Sequence, residues 1–485
     1  MNLRLSFHVV GTFLKFFGII LFLPAIASLI YRDSDLYIFL LTAFFTSATG
    51  YVVEKSTKSA KLKMELSRKD AFFVALLCWL AASLFGALPY LFMPSVFSPI
   101  DAIFEAISGY TTTGATVITD IESLPHGLLF YRNFTQWLGG MGIIVLAIAI
   151  LPKLSVGGMQ LMSMEAPGPT AERLTPQIAD TAKKLWLVYV GLSVLLVVLL
   201  FFSGLPGFEA ITTSFSTIST GGFSVKNMSI GAYDSPLIES IMIIFMVIGG
   251  SNFLLLYLLF SGKSFRIFTS SEFKFYIFLI VLFIVIVSLD LWVYRYPGFF
   301  QSLRYSSFQV VSIMTGSGFT SVDFGLWTNF SIFALLTLMF IGGCAGSTTG
   351  SMKVIRILVL VKKGIREVDH LVKPKAVLPV RIDKKPVSDE VISSVTSFFL
   401  LYMVIFVFSV LIILSVEDKI SVMGALSACA ATLGNVGPGF EEVGAAQNYN
   451  FLNGFSKLWM CFLMLLGRLE LFTILVFFSP LFWKK

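Results

Sequence analysis

What this 485-residue chain has least of is charge. Asp, Glu, Lys and Arg make up 13% of it, against 56% hydrophobic residues, and its mean hydropathy is +0.87. A soluble protein of that length needs a far more polar surface, so lipid is the solvent that the composition demands. Histidine is scarce as well, with 3 residues, none central in an apolar run. A membrane-embedded enzyme would therefore lack the nucleophile–base or metal constellation it needs. The 4 cysteines, Cys78, Cys344, Cys429 and Cys461, lie in apolar runs without metal-ligand spacing. They read as small core residues rather than a disulfide or zinc set. No GxxxxGK[ST] stretch occurs, so any nucleotide dependence must come from a partner. The first apolar run is followed by no small-residue cleavage site and reads as a span, not a signal peptide.

What is present is a series of long apolar runs. The first two, Val9–Ile30 and Leu36–Val53, form a hairpin closed by Tyr31-Arg-Asp-Ser-Asp35. Further runs cover Ala71–Phe92, Phe130–Leu151, Leu185–Phe202, Leu237–Phe260, Phe275–Val293, Phe330–Cys344, Val391–Ile413 and Leu458–Phe478. At ~20 residues per spanning helix this predicts about ten transmembrane helices in an all-α membrane protein. Aromatic residues, 15% of the chain with 50 Phe, suit lipid-facing surfaces and interfacial belts. The connecting segments alternate in charge. Lys55–Lys69, Lys263–Lys274 and Lys353–Lys385 are basic, while 95–129, 203–236 and 415–450 are acidic or nearly uncharged. The positive-inside rule puts the basic segments, and both termini, in the cytoplasm. Segment 155–184, with Pro167, Pro169 and Pro176, reads as a cytoplasmic loop.

Several of the opposite-side segments are too apolar to be ordinary loops. Ile100-DAIFEAISGYTTTGAT, Pro206-GFEAITTSFSTISTGGFS, Pro297-GFFQSLRYSSFQVVSIMTGSGFT and Ile420-SVMGALSACAATLGNVGPGF share one plan. Each has a short amphipathic stretch, then a Thr/Ser/Gly run, then a polar passage into the next span. Stretches this short cannot cross a bilayer and read as re-entrant. They align on Gly114, Gly222, Gly318 and Gly437, though Gly434 and Gly439 compete for the fourth register. The spans that follow also match, in Leu138-Gly-Gly-Met, Ile248-Gly-Gly-Ser, Ile341-Gly-Gly-Cys and Leu466-Gly-Arg-Leu. A single Thr/Gly run is more often a helix-packing patch. Four at corresponding positions imply pseudo-symmetry about an axis. The expected division is a hairpin, 1–60, and pore repeats 61–155, 156–265, 266–375 and 376–485.

Non-helical backbone at membrane depth is tolerated only where protein or water satisfies it. Glycine permits positive φ, which can turn successive carbonyls toward one line. Four such strands form rings of carbonyl oxygens that replace the hydration shell of a cation. The expected selectivity filter is Thr111, Thr112, Thr113 and Gly114; Ser219, Thr220, Gly221 and Gly222; Thr315, Gly316, Ser317 and Gly318; and Gly434, Asn435, Val436 and Gly437. These runs contain no acidic side chain, which favours a carbonyl filter over a carboxylate ring.

Ile107-SGYTTTGAT, Arg132-NFTQWLGGMGIIV and Gly342-GCAGSTTGSMKVIR resemble the Trk/Ktr/HKT superfamily of K⁺ transporters, over nearly the whole chain. The N-terminal hairpin resembles the longer Trk branch. The resemblance implies uptake of K⁺ and Rb⁺ across the bacterial inner membrane through one pseudo-tetrameric pore per chain. It also implies a homodimer, bound to a cytoplasmic, TrkA-like nucleotide-binding regulatory subunit. Beyond K⁺ as the transported ion and membrane lipid, neither an organic cofactor nor nucleic acid is expected. No segment reads Thr-Val-Gly-Tyr-Gly as in true K⁺ channels.

Gly342, Gly343, Gly346, Ser347, Thr348, Thr349 and Gly350 interrupt a span, and small polar residues at that density disfavour helix. The resemblance implies an intramembrane gating loop there; a Gly-rich packing surface is the plainer alternative. Lys353 and Arg356 read as interfacial anchors opening a cytoplasmic helix. Arg468, inside the last span, is costly in lipid and a functional candidate; on the alignment it faces the pore below the filter. A buried structural ion pair is its bland alternative. Glu470, two residues on, would face away from it on an ideal helix. Asp101, Glu105 and Glu209 are expected to stabilise half-helix N-termini. His126 and His370 read as lone loop residues. A Na⁺- or H⁺-coupled symporter is the other reading; of the acidic relay it needs, Glu470 alone is at hand. A membrane-embedded enzyme is remote.

Overall fold

The computed structural model describes residues 2–58, 67–93, 97–142, 178–262, 264–376 and 378–484. The expected span beyond Gly142, the loop 155–184 as far as 177, and the basic residues Lys61 and Lys63 lie outside them. Among the described residues, one hairpin pairing Arg381–Ile382 with Lys385–Pro386 accompanies an otherwise helical molecule.

The chain opens with helices Leu3–Ile20 and Phe22–Tyr31, which run on as one span. Arg32, in the left-handed conformation, turns it, and Leu36–Thr57 returns against the first helix. Gly11 and Gly50 let the two backbones touch: a Cβ at either would fall within 3.0 Å of main-chain atoms of the other helix.

Four units follow, each with an outer helix, a half-helix, a glycine-bearing segment and an inner helix. The outer helices are Arg68–Gly86, Ile178–Phe202, Ser271–Tyr294 and Asp389–Val416. The half-helices are Pro99–Tyr110, Gly207–Ile218, Phe299–Met314 and Val422–Leu433. Local chemistry starts them: Ser98 and Ser421 cap the first and fourth through the backbone N–H of Asp101 and Gly424, and Pro99 follows the first cap. At 12 residues, or 16 in the third, a half-helix is about 18–24 Å long, too short to span the ~30 Å hydrocarbon core.

The inner helices are His126–Gly140, Pro236–Gly249, Asn329–Met339 and Gly454–Arg468. Among the described residues, six helices are long and apolar enough to cross a membrane, and eight if two bent pairs each count as one span; the expected span Phe130–Leu151 lies partly outside those residues. Leu237–Phe260 and Leu458–Phe478 are not straight spans. The first bends by 106° between Gly249 and Phe253, the second by 114° between Arg468 and Leu471. Asn329–Met339 stops after 11 residues. Hydropathy is blind to such breaks because the flanks stay apolar.

Residues 178–184 begin an outer helix rather than end a loop. His126 opens an inner helix, with its backbone N–H and ring against Asp33, and His370 lies in helix Val354–Val372.

Candidate functional site

All four half-helices end in one backbone pattern. The cap residue, Thr111, Ser219, Thr315 or Gly434, is near right-handed helical conformation. The next residue, Thr112, Thr220, Gly316 or Asn435, is left-handed, with φ of 55°, 53°, 66° and 52°. Two residues further, Gly114, Gly222, Gly318 and Gly437 again have positive φ, at 83°, 82°, 70° and 100°. The fourth register is therefore that of Gly437. Gly434 is the cap, and Gly439 has no positive φ.

These four glycines close a ring. A Cβ on Gly114 would strike the carbonyl oxygen of Gly221; on Gly222, that of Ser317; on Gly318, that of Val436; and on Gly437, that of Thr113. Each segment thus presses its glycine against the next, in chain order and back to the first. Beyond the ring a cavity of about 110 Å³ is lined by Gly114, Gly222, Gly318 and Gly437 from the four segments. The inner helices hold the assembly from outside. Gly139, Gly249 and Gly467 lie against the last carbonyl of their own half-helices, those of Tyr110, Ile218 and Leu433.

At the other end of the segments runs the chain from Ile341 to Lys353, outside any helix. Thr348 Oγ1 lies 3.1 Å from the carbonyl oxygens of Ile218 and Gly249, to which it donates, and 3.1 Å from Thr220 Oγ1. Ser351 Oγ donates to Gly434 O at 2.9 Å, and Gly350 lies against that same carbonyl and Asn435. Arg468 donates to Thr348 O at 2.6 Å and to the carbonyls of Gly139 and Gly140. One guanidinium thus ties the third repeat's loop to the first repeat's inner helix from the fourth.

The break in the second inner helix fits this loop. Gly250 O accepts from Cys344 N, Gly249 O from Thr348, and Phe253 N donates to Gly346 O. Backbone groups freed by the bend are satisfied by the loop, as non-helical backbone in a membrane requires.

This arrangement has a known counterpart. The family described as TrkH, cation transport protein, matches residues 38–485. The chain belongs to that family. It is 42% identical over the full length of both chains to the Trk system potassium uptake protein TrkH of Salmonella typhimurium, and equally so to that of Escherichia coli K12. Escherichia coli TrkG is 35% identical over 100% of this chain and 99% of its own. The crystal structure of the potassium transporter TrkH from Vibrio parahaemolyticus matches with a TM-score of 0.89 and 38% identity over all of both chains. The protein is thus a multi-pass membrane protein of a cation transport family, and not an enzyme.

Within this TrkH-family fold some residues play parts that the sequence did not suggest. Glu105 does not serve a helix N-terminus. Fully buried, it accepts from Arg132 Nε at 2.9 Å, from Thr116 Oγ1 at 3.0 Å and from Val117 N at 3.2 Å, pinning the first segment's return. Arg132 also donates to Ser224 O at 3.1 Å and stacks on Phe223. Asp101 does act at its helix start, and pairs with Lys457 at 2.6 Å. Glu209, in the first turn of the second half-helix, lies 3.5 Å from Lys226. Lys353 is no interfacial anchor: it is buried, with Nζ on Thr349. Glu470 is not helical but has φ at 58° and ψ at 141°, and pairs with Arg356 at 2.7 Å. Arg132, in the run Phe130–Leu151, carried the same signal as Arg468, a cation in an apolar span. Glu272, which accepts from Ala345 N of the loop at 2.6 Å, and Gln136, which donates to Gly221 O at 2.6 Å, gave none.

Proposed function

We propose that this chain conducts K⁺, and Rb⁺ in its place, across the bacterial inner membrane. Its filter is built from Thr111–Gly114, Ser219–Gly222, Thr315–Gly318 and Gly434–Gly437. The observation that carries this reading is the closed ring in which each positive-φ glycine meets the next segment's carbonyl. Such a ring has room for main-chain oxygens and for no side chain, which is what exchange of a cation's hydration shell needs. Four half-helix C-termini, partly negative, converge beside it and favour a cation. The relatives named for potassium uptake and the potassium transporter structure support K⁺ as the ion.

The loop Gly342–Gly350 and Arg468 are the gate in this reading. Lying against the first residues of segments two and four, the loop is positioned to obstruct ions leaving the filter. A fixed guanidinium opposes cations while it holds the loop's carbonyl. The repeats divide at 61–155, 156–265, 266–375 and 376–485, after the hairpin 1–60. The basic segment and both termini face the cytoplasm, and the chain works as a homodimer with a TrkA-like nucleotide-binding subunit. The relatives' description as parts of a Trk system supports a partner. Coupled symport is disfavoured, since Glu470 is held in an ion pair.

The test is ⁸⁶Rb⁺ uptake by proteoliposomes holding the purified chain, with Na⁺, Li⁺ and Cs⁺ as competitors. Saturable uptake blocked by K⁺ well before Na⁺ is the expected result. Uptake that needs an inward Na⁺ or H⁺ gradient would return the symporter.

A further inference from the structure

The four segments share one backbone but not one means of support. In the first and third, support is internal. Thr111 and Thr113 hydroxyls meet at 2.7 Å, and Thr315 and Ser317 at 2.8 Å. Ser108 and Ser312, seven residues before the points they hold, donate to Ala115 O at 2.5 Å and Phe319 O at 2.7 Å. The fourth segment is held by Asn435, whose amide donates to Thr113 Oγ1 at 2.8 Å and Met464 O at 2.9 Å.

The second segment has neither device. Gly221 stands where the others have Thr113, Ser317 and Val436, so no side chain is available there. Ser216, the counterpart of Ser108, donates instead to Asn133 Oδ1 at 2.7 Å. The missing support comes from Gln136 of the first inner helix. Its Nε2 donates to Gly221 O at 2.6 Å, and its Oε1 accepts from Phe223 N at 2.9 Å. One buried amide thus grips the main chain on both sides of Gly222. The fit is reciprocal: a Cβ on Gly221 would overlap the Gln136 side chain. Counting back three residues from the matched glycines Gly139, Gly249, Gly342 and Gly467, the other inner helices carry Met246, Met339 and Met464, all fully buried. An amide at this depth without partners would be costly. Here both ends are used, and both uses are on one segment.

We propose that Gln136 is a specificity-determining positioning residue, which substitutes for the absent side chain of Gly221 and fixes the second segment's carbonyls at the spacing that favours K⁺ over smaller cations. This rests on the filter reading above. Gln136 touches no ion itself; it acts through Gly221 and Phe223. With its grip removed, the second segment is free to adjust around a smaller ion, and discrimination falls while conduction persists.

Three variants separate the possibilities, measured by ⁸⁶Rb⁺ uptake with Na⁺ and K⁺ competition on monodisperse protein. Gln136→Met installs the residue of the other three repeats. Its Rb⁺-over-Na⁺ preference should fall about 3- to 10-fold, as loss of one or two hydrogen bonds to a fixed main chain implies, with total flux kept or raised. Gly221→Ser should fail, because its side chain meets Gln136. Gln136→Ala with Gly221→Ser should recover both protein and preference, since the new hydroxyl takes the place that Thr113 and Ser317 occupy in their segments. Unchanged preference in Gln136→Met, or a double variant no better than its Gly221→Ser parent, would overturn the proposal. Ser317→Ala, which removes the hydroxyl contact with Thr315 in the third segment and adds no atoms, checks the underlying reading. If it leaves cation preference intact the filter reading itself falls. If it alters preference while Gln136→Met does not, only the role of Gln136 falls.

Discussion

The first and fourth inner helices occupy matching places and use buried arginine in opposite ways. Both press a glycine, Gly139 or Gly467, on the last carbonyl of their own half-helix. The first carries Arg132 seven residues before that glycine, level with the outer cavity that it helps line. There it meets Glu105 of the same repeat and the main chain of the second segment. The fourth carries Arg468 one residue after its glycine, at the loop end, where it meets carbonyls from two other repeats. A cation that faces a carboxylate within its own unit is a brace. One that donates to main-chain carbonyls of two other repeats is a tether. At the level of Arg132 the fourth helix has Met460, and at the level of Arg468 the first has Gly140. Each charge is thus an addition to the pseudo-symmetric frame at one place, and Gly140 leaves no room for a second: a Cβ there would lie 2.6 Å from Ser219.

The largest expected effect tests what the two helices share. Gly139→Ala and Gly467→Ala each drive a methyl group into a main-chain carbonyl that cannot swing away. Overpacking of that kind costs about 3 kcal/mol or more. Both variants should lose monodisperse protein on size-exclusion chromatography. If one folds normally, the two helices are not equivalent and the comparison fails at its base.

Next in size is the brace. Arg132→Met leaves Glu105 buried without its cation, a loss of about 3–5 kcal/mol. Adding Glu105→Ala copies the fourth repeat, which has Ala428 and Met460 at these places, both fully buried. The double variant should regain most of the loss in thermal unfolding, since a buried pair is often replaceable by apolar residues. A double variant as unstable as the single would mean that Arg132 is needed chiefly by Ser224 and Phe223.

The tether should affect flux more than stability. Arg468→Ala removes hydrogen bonds from a charged donor, each worth about 1.5–3 kcal/mol in a buried setting. Even half of one such bond, shifted onto the closed state, changes the open–closed equilibrium roughly 4- to 13-fold. ⁸⁶Rb⁺ flux should rise accordingly without any partner subunit. Arg468→Lys should fall between, since Lys keeps the charge but loses the planar fork. Deleting part of Gly342–Gly350 should raise flux further. Unchanged flux in a deletion that stays folded would make this segment a packing surface.

The glycine register was legible for the first three segments because Thr/Ser/Gly runs followed short amphipathic stretches at constant spacing. The fourth was ambiguous for a physical reason. Gly434, Gly437 and Gly439 are all present, but only one has positive φ, and the others are glycine for close packing: Gly434 against Ser351 and Met339, Gly439 against Ser427. The bend after Gly249 was hidden because its cause is tertiary. The loop that satisfies Gly249 and Gly250 lies almost a hundred residues away. Gln136 was hidden because a lone amide in an apolar run looks the same whether it grips a filter strand or a neighbouring helix. Arg132 was legible in principle, as a cation where lipid forbids one, and only its partner Glu105 was beyond a reading by spacing.

The smallest effect concerns the start of the fourth repeat's bend. Glu470 holds φ at 58° and ψ at 141°, a sparsely populated positive-φ conformation that a residue with a Cβ adopts at a cost of about 1–3 kcal/mol. Its carboxylate meets Arg356 at 2.7 Å, with both side chains mostly buried but reachable by solvent. An ion pair in that setting contributes about 1 kcal/mol or less. Glu470→Gly relieves the backbone and gives up the pair, so the two terms nearly cancel, and thermal unfolding should shift by only a few degrees. Glu470→Ala keeps the strain and loses the pair, and should be the less stable of the two. That order sharpens the comparison. It would mean that the bend at Arg468 is set by the loop contacts of the arginine and the close packing of Gly467, with Glu470 only accommodating it. If Glu470→Gly instead unfolds the protein or opens the pore as far as Arg468→Ala, the Arg356 pair is a second tether, and the fourth repeat holds its gate from both sides of the bend.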